Sequence, residues 1–409
     1  MQASPAPRRV LPLLVLAQFL GTSPWFAVNA VMPDLQQDFG WPAAAVGTLT
    51  SALQLGFVAG TLVFALLAVA DRFPPRAVFL GCALASAGCT LAGMLLAPSF
   101  TLLLALRALT GFFLAGIYPV GMKIAAQWFP RGLGAAMGLL VGALVVGSAL
   151  PHALRALAAG TAGGPWQAVF AGVALASVAA GVLVAAGIPP PQAAPARVTG
   201  LHARALASIA TDRRVRASVL GYFGHMWELY TMWVLVPAVL PAPVPAAEPP
   251  WSRIVRGPAL SWAAFAVLGA GAIGCAAGGW LAIALARAGA PGRGSARVAG
   301  AQLAVSGLCC LAAPWAMAAP APVFYGWLLL WGITVAGDSP QFSTLTAMNA
   351  PRDGVGSVLT LANGVGFAIS VASIQLFVGL AQSVPLASLL PWLAAGPVLG
   401  LLALRPLLR

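Results

Sequence analysis

The feature that most constrains this chain is a series of twelve apolar runs, each close to or above the length that crosses a bilayer. Roughly 20 apolar residues are needed to cross about 30 Å of hydrocarbon. Only 7% of the 409 residues are charged, whereas a water-soluble domain carries about 25%. We therefore predict an all-α integral membrane protein, embedded in a lipid bilayer. The runs are 10–32, 43–69, 77–97, 101–127, 135–158, 166–188, 218–240, 259–284, 297–319, 322–350, 355–380 and 385–404.

The arginines predict how the chain is oriented in the membrane. If the amino terminus is inside, sixteen arginines fall on the cytoplasmic side, and only Arg155, Arg253 and Arg256 fall outside. This bias is the positive-inside rule. The net charge of +13 is thus a topology signal, and it gives no reason to expect a nucleic-acid partner. We expect both termini in the cytoplasm and the bacterial inner (plasma) membrane as the location.

A polar segment in the middle divides the chain into two halves of six spans. The predicted division is 1–188, a linker of 189–217 rich in Pro, Ala and Arg, and 218–409. Two parallel six-helix repeats, related by an axis along the membrane normal, are the architecture of secondary transporters that bind a solute between the halves.

Internal similarity supports this division. Residues 111–131 and 332–352 share seven of 21 positions at a shift of 221 residues, including Pro119 and Pro340. A proline inside a helix removes a backbone donor and kinks or breaks the helix. We therefore predict breaks at equivalent depths in spans 4 and 10. An arginine pair also repeats at this shift: Arg72 and Arg76 correspond to Arg293 and Arg297.

The loop after span 2, "LAVADRFPPR", resembles the first signature of the major facilitator superfamily. Asp71, Arg72 and Arg76 stand in the expected places, while Leu67 and Pro74 replace two usual glycines. The resemblance implies twelve spans and transport by alternating access. It also implies a gating role for this loop, with Asp71 accepting hydrogen bonds from a helix end and pairing with an arginine. The alternative is that these charges only fix the topology.

The start of span 4, "RALTGFFLAG", resembles that family's span-4 signature, with Arg107 and Gly111 as its arginine and glycine. In the family such an arginine is more often structural or proton-coupling than a ligand. Arg107 can nevertheless bind an anionic solute, and Tyr118 shares its helix face. Lys123, the only lysine, either faces the cavity or extends to the cytoplasmic interface.

Span 7 contains an acid in the stretch "GYFGHMWELYTMW". Glu228 lies near the middle of the span, and His225 is three residues earlier, on the same helix face. An ionisable side chain inside a span costs at least ~2.5 kcal/mol and marks function by default. We predict that this pair handles protons, since imidazole titrates near neutral pH. The alternative is a buried glutamate satisfied by a neighbouring helix.

Span 10 contains a second acid, Asp338, in "AGDSPQF". Asp338 or Ser339 can cap a helix that restarts at Pro340. The sharper prediction is that the break lines a cavity, because irregular backbone at membrane depth is tolerated only beside protein or water. The side chains that would then face the solute are Asp338, Ser339, Gln341 and Ser343.

These patterns favour one function over two others. We find no phosphate-binding loop, zinc spacing or nucleophile triad in the sequence, so we expect no enzyme, no cofactor and no metal. We expect a monomeric, proton-coupled secondary transporter, with symport of a small organic anion as the first candidate because span 4 carries two cationic groups. The alternatives are proton-antiport efflux of a drug or metabolite, and a non-transporting receptor or structural protein. The candidate residues are Glu228, Asp338 and His225 for protons, Arg107, Tyr118, Lys123, Asn29, Gln54, Gln341 and Asn363 for solute, and Asp71, Arg72, Arg76, Pro119 and Pro340 for gating.

Overall fold

The computed structural model of this chain describes residues 7–96, 99–129, 133–159, 165–190, 203–241, 257–287, 292–351 and 354–409. Throughout these ranges the regular structure is helical, without a strand. Ten helices of the described part are long and apolar enough to cross a membrane. Two more helical stretches lie at the predicted spans 7 and 10, where polar and aromatic residues lower the mean hydropathy. The predicted all-α architecture of twelve spans is confirmed.

The first half contains six spans. They are span 1 (Val10–Gly21, Ser23–Phe26 and Ala27–Phe39), span 2 (Ala45–Leu66), span 3 (Pro75–Leu95), span 4 (Phe100–Leu114 and Tyr118–Trp128), span 5 (Leu133–Leu157) and span 6 (Pro165–Gly187). A one-turn helix, Val69–Arg72, lies between spans 2 and 3.

The second half repeats this layout. Its spans are span 7 (Arg213–Val239), span 8 (Pro258–Gly269 and Gly271–Arg287), span 9 (Arg293–Met317), span 10 (Ala321–Gly337 and Ser339–Asn349), span 11 (Val355–Leu380) and span 12 (Leu386–Leu389, Leu390–Ala394 and Ala395–Leu408). The predicted linker also contains a short helix, Ala203–Thr211, while its residues 191–202 lie outside the described part. We call the side on which span 1 begins and span 12 ends the terminal side, and the opposite side the distal side.

The two halves meet along two seams. Span 2 packs against span 11 along one seam, and span 5 packs against span 8 along the other. Within each half the most closely packed pairs include spans 2 and 4, spans 3 and 6, spans 7 and 12, and spans 9 and 12. Spans 1, 2, 4, 5, 7, 10 and 11 border the space between the halves.

The predicted breaks in spans 4 and 10 are present. Pro119 and Pro340 are each the second residue of a new helix, after the preceding helices end at Leu114 and Gly337. Proline is tolerated there because the first N–H groups of a helix have no intrahelical acceptor. Span 1 is also interrupted, at Thr22, and span 8 at Ala270, which the sequence analysis did not predict.

Gly56 and Gly111 explain why spans 2 and 4 pack so closely. A Cβ on Gly56 would overlap the carbonyl oxygen of Ala108, and one on Gly111 would overlap that of Leu53. The two backbones thus touch without intervening side chains, as small residues permit between membrane helices. This contact fixes the part of span 4 that carries Arg107.

Candidate solute-binding site

A cavity lies between the two halves at the level of the helix breaks. In this state it is narrow, with about 50 Å³ open to the centre of a water-sized sphere. Thr61, Ser343 and Asn363 line it from the terminal half of their spans, and Trp25 and Trp233 line it further toward the distal side. The cavity therefore extends from the middle of the bundle toward the terminal side.

Five aromatic rings pack together at the inner end of the cavity. The rings of Trp25 and Tyr230 are stacked, with centroids 6.0 Å apart and an interplanar angle of 16°. Phe57 and Phe367 are 4.8 Å apart, across the seam between the halves, and Trp233 meets Tyr230 edge-on at 5.6 Å. Offset and edge-to-face pairs of this kind are the favourable arrangements for aromatic rings. All five rings border the cavity, but each is at most 5% exposed, so a flat apolar group reaches them only when the cavity widens.

The polar groups of the cavity wall are neutral. Tyr118 and Tyr222 add phenol groups, and Thr61, Ser339, Ser343 and Asn363 add hydroxyl and amide groups. Among the described residues, no arginine, lysine, aspartate or glutamate lines the cavity. Hydroxyl and amide groups can donate hydrogen bonds to a carboxylate, but they provide no compensating charge.

Of the seven residues predicted to contact solute, Tyr118 and Asn363 line the cavity. Asn29 and Gln54 lie in buried hydrogen bonds instead. Asn29 accepts from the Thr50 hydroxyl at 3.1 Å, and Gln54 accepts from the Ser370 hydroxyl at 2.8 Å. Gln341 is buried away from the cavity wall, and Lys123 is half-buried outside it.

Arg107 is in a different position from the one predicted. Its guanidinium lies off the cavity wall and donates to the backbone carbonyls of Pro24 and Trp25, both at 2.8 Å. These two carbonyls are at the break in span 1, where the helical hydrogen-bond pattern is interrupted. Arg107 therefore joins span 4 to the broken turn that positions Trp25.

The predicted proton pair is also arranged differently. The Nδ1 atom of His225 lies 2.8 Å from Oδ1 of Asp338, and both side chains are buried. His225 thus pairs with the acid of span 10 rather than with Glu228. Asp338 occupies the cap position of its helix, but its side chain makes no capping bond. It also does not line the cavity, although its neighbour Ser339 does.

Glu228 is held by donors from two other spans. Trp331 Nε1 donates to its Oε1 at 2.6 Å, and Cys310 Sγ lies 3.1 Å from the same atom. Ser306 donates to Oε2 at 2.9 Å. The carboxylate is therefore satisfied inside the second half, away from the cavity wall. A proton role for Glu228 stays a prediction.

The candidate gating residues are only partly described. Arg72 is exposed, and Arg76 donates to the carbonyl of Ile188 at the end of span 6, at 2.9 Å. Asp71 belongs to the helix Val69–Arg72, but its side chain lies outside the described part. The loop signature thus contributes a bond between spans 3 and 6, and its role in gating stays a prediction.

The distal side is closed by a set of contacts that the sequence analysis missed. Arg155 holds Asp34 with two bonds of 2.8 Å, and its third nitrogen donates to Ser261 in the other half at 3.1 Å. On the other seam, Gln375 donates to Ser51 at 2.8 Å. The available signal was Arg155 itself, an arginine outside the membrane against the positive-inside rule. An arginine in such a position is expected to have a local partner.

We expect Arg155→Gln to make the distal side open more often. The variant loses the charged hydrogen bond to Ser261 and the two hydrogen bonds to the carboxylate of Asp34. The measurement is the labelling rate of Ala264→Cys, a buried position of span 8, with a membrane-impermeant maleimide. We expect labelling to become severalfold faster. Arg155→Lys, which can still pair with Asp34, is the control and should show a smaller increase. If Arg155→Gln leaves the labelling rate of the Ala264→Cys protein unchanged, the closing role of Arg155 is wrong.

An all-helical chain with two six-span halves and a cavity between them has the architecture of a secondary transporter. The sequence matches the Major Facilitator Superfamily over residues 14–374. The chain belongs to this family, whose members are transporters and not enzymes.

Comparisons with individual proteins agree with this assignment. The 4-hydroxybenzoate transporter PcaK of Pseudomonas putida is 34% identical over 125 residues, which is 31% of this chain and 27% of that protein. The structure of the human organic anion transporter MFSD10 (TETRAN) superposes with a TM-score of 0.71 at 17% identity, covering 98% of this chain and 100% of that one. The structure of a bacterial homologue of the human lysosomal transporter Spinster, inward-facing and unoccupied, superposes with a TM-score of 0.69 at 15% identity. The match covers 98% of this chain and 97% of that one. At these identities the two structures show the fold alone.

Proposed function

We propose that this chain carries a small aromatic carboxylate across the bacterial plasma membrane by alternating access, in symport with protons. The observation that carries the proposal is the cavity between the halves, with its five packed rings and its phenol and hydroxyl groups. A flat ring can pack against Trp25 and Tyr230, and the hydroxyl groups can donate to the carboxylate. The partial similarity to a 4-hydroxybenzoate transporter supports the same class of solute.

Orientation follows from the arginines. If the terminal side is cytoplasmic, as the positive-inside rule predicts, the cavity extends toward the cytoplasm while Arg155 and its partners close the outside. A solute would then be released from this state into the cell. Import and proton symport remain part of the proposal.

One observation favours a second candidate function. Since no cationic side chain among the described residues lines the cavity, the faces of Trp25, Tyr230 and Trp233 can instead attract an organic cation. Proton-antiport efflux of a cationic drug or metabolite would follow from that arrangement. The two candidates differ in the charge of the solute and in the direction of its movement.

Transport in proteoliposomes separates these candidates. With an interior more alkaline than the medium, we expect radiolabelled 4-hydroxybenzoate to accumulate faster than in protein-free liposomes, and a protonophore to remove the difference. Protein-free liposomes are the necessary baseline, because protonated aromatic acids cross lipid unaided. Gradient-driven movement of tetraphenylphosphonium without movement of the acid would favour the second function. If neither solute moves, both candidate functions are contradicted.

A further inference from the structure

The cavity and the buried pair behind it differ in charge. The described wall carries no charged side chain, while His225 and Asp338 lie one side-chain layer away. The ring of Tyr222, which lines the cavity, is 5.8 Å from the ring of His225. Ser339 and Ala336 line the cavity on either side of Asp338 in the sequence. A change in the charge of this pair therefore changes the electrostatic potential inside the cavity, because charges interact strongly at such distances in a low dielectric.

The His225–Asp338 pair can bind one more proton. With one proton between them the two groups are net neutral, either as imidazolium and carboxylate or as imidazole and carboxylic acid, and a net-neutral pair is less costly to bury than a charged one. Neither carboxylate oxygen of Asp338 has a hydrogen-bond partner, and only Oδ1 contacts Nδ1 of His225, so Oδ2 can accept a proton without breaking a bond. Protonation there leaves the charge of the imidazolium uncompensated. The result is one positive charge behind the cavity wall.

Among the residues that the structure describes, the surroundings of the pair supply no other cation. Span 11 contains no titratable residue, and the only one in the Ala395–Leu408 helix of span 12 is the exposed Arg405. The other titratable groups near the pair are all neutral or acidic types: Tyr222 and Glu228 on span 7, Cys275 on span 8, Cys310 on span 9 and Tyr118 on span 4. Among the described residues, His225 is therefore the group that can provide a positive charge at the pair itself.

We propose that the His225–Asp338 pair is the coupling site: a proton binds to Asp338 as an organic anion enters the cavity, and the exposed charge of His225 compensates the carboxylate. The inference rests on the proposed transport of a small organic anion and assigns the proton to this pair rather than to Glu228. The proton comes from the side that loads the solute and leaves with the solute on the other side. Anion and proton together carry no net charge through the membrane.

The test measures proton uptake when 4-hydroxybenzoate binds to the purified protein in weakly buffered detergent solution. We expect about one proton per bound anion, and an affinity that falls about tenfold per pH unit wherever the empty protein lacks that proton. The neutral isostere 4-hydroxybenzamide should bind without proton uptake. In the double variant His225→Asn with Asp338→Asn, we expect proton uptake to disappear and the preference for the acid over the amide to be lost.

Asp212→Asn is the matched control. It is the same Asp-to-Asn substitution at the cap of span 7, the span that carries His225, and it lies outside the cavity. Asparagine caps a helix as well as aspartate does. Its proton uptake should equal that of the unmodified protein. The assignment is overturned if the double variant still takes up a proton, or if Glu228→Gln alone abolishes the uptake. It is also overturned if the double variant is thermally stable but no longer binds the amide. Failure of the unmodified protein to bind the acid would instead refute the proposed function.

Discussion

Arg107→Met is expected to lower the free energy of unfolding by about 1–3 kcal/mol. The side chain donates to the carbonyls of Pro24 and Trp25 from a fully enclosed position. Methionine has a similar shape but no donor, so the Trp25 carbonyl loses this donor, while the Pro24 carbonyl keeps the backbone N–H of Ala27. Each buried polar group left unsatisfied costs about 1–3 kcal/mol. Thermal unfolding in detergent, followed by tryptophan fluorescence, measures the loss.

Ligand affinity shows whether Arg107 has a second role. Since Arg107 positions Trp25, we expect 4-hydroxybenzoate and 4-hydroxybenzamide to bind more weakly by the same factor in Arg107→Met. Arg107→Lys, which can reach one of the two carbonyls, should fall between that variant and the unmodified protein. A loss of affinity for the acid alone, with the melting temperature unchanged, would support the direct solute contact predicted from the sequence.

Trp25→Ala is expected to weaken solute binding by roughly 30-fold or more. Trp25 packs against Phe57, Tyr230 and Phe367, and it forms part of the cavity wall. A ring of this size buries about 150–250 Å², and a solute ring stacked on part of it would lose about 2 kcal/mol at roughly 25 cal/mol per Å². Isothermal titration with 4-hydroxybenzoate measures the change.

The same substitution also creates a hole in the core, so a control must separate stability from binding. Trp166→Ala is suitable, because Trp166 is also buried but packs against Phe39 and Phe170 near the distal side. We expect both variants to lose thermal stability, by about 3–5 kcal/mol each, and only Trp25→Ala to lose affinity. Equal affinities in the two variants would show that the ring cluster around Trp25 does not contact the solute.

The fold could be predicted from the sequence because lipid imposes simple rules. Span length, proline position and the repeat of 221 residues each depend on local sequence, and the breaks before Pro119 and Pro340 appear where the sequence predicts them. The break in span 1 was less visible. Pro24 in "GTSPW" was its only signal, and the bond from Arg107 that stabilises it comes from a residue 83 positions away.

The partners of the buried polar groups could not be predicted in the same way. A spacing of three residues places His225 and Glu228 on one helix face, but each side chain bonds to a different neighbouring helix. His225 pairs with Asp338, and Glu228 accepts from Ser306, Cys310 and Trp331. Helical periodicity gives the direction of a side chain, whereas the choice of partner depends on how the spans are packed. The position of Tyr222 on the cavity wall also depends on how the spans are packed. Its sequence context does not distinguish it from a packing residue.

The bonds between the two halves have a consequence for how they separate. Gln54 meets Ser370, Gln375 meets Ser51, and Arg155 reaches Ser261, so every one of these contacts ends on a hydroxyl group. The carboxylate that neutralises Arg155 is Asp34, which moves with the same half. When the distal side opens, the two halves therefore part without pulling a cation away from an anion, and water can replace each lost contact.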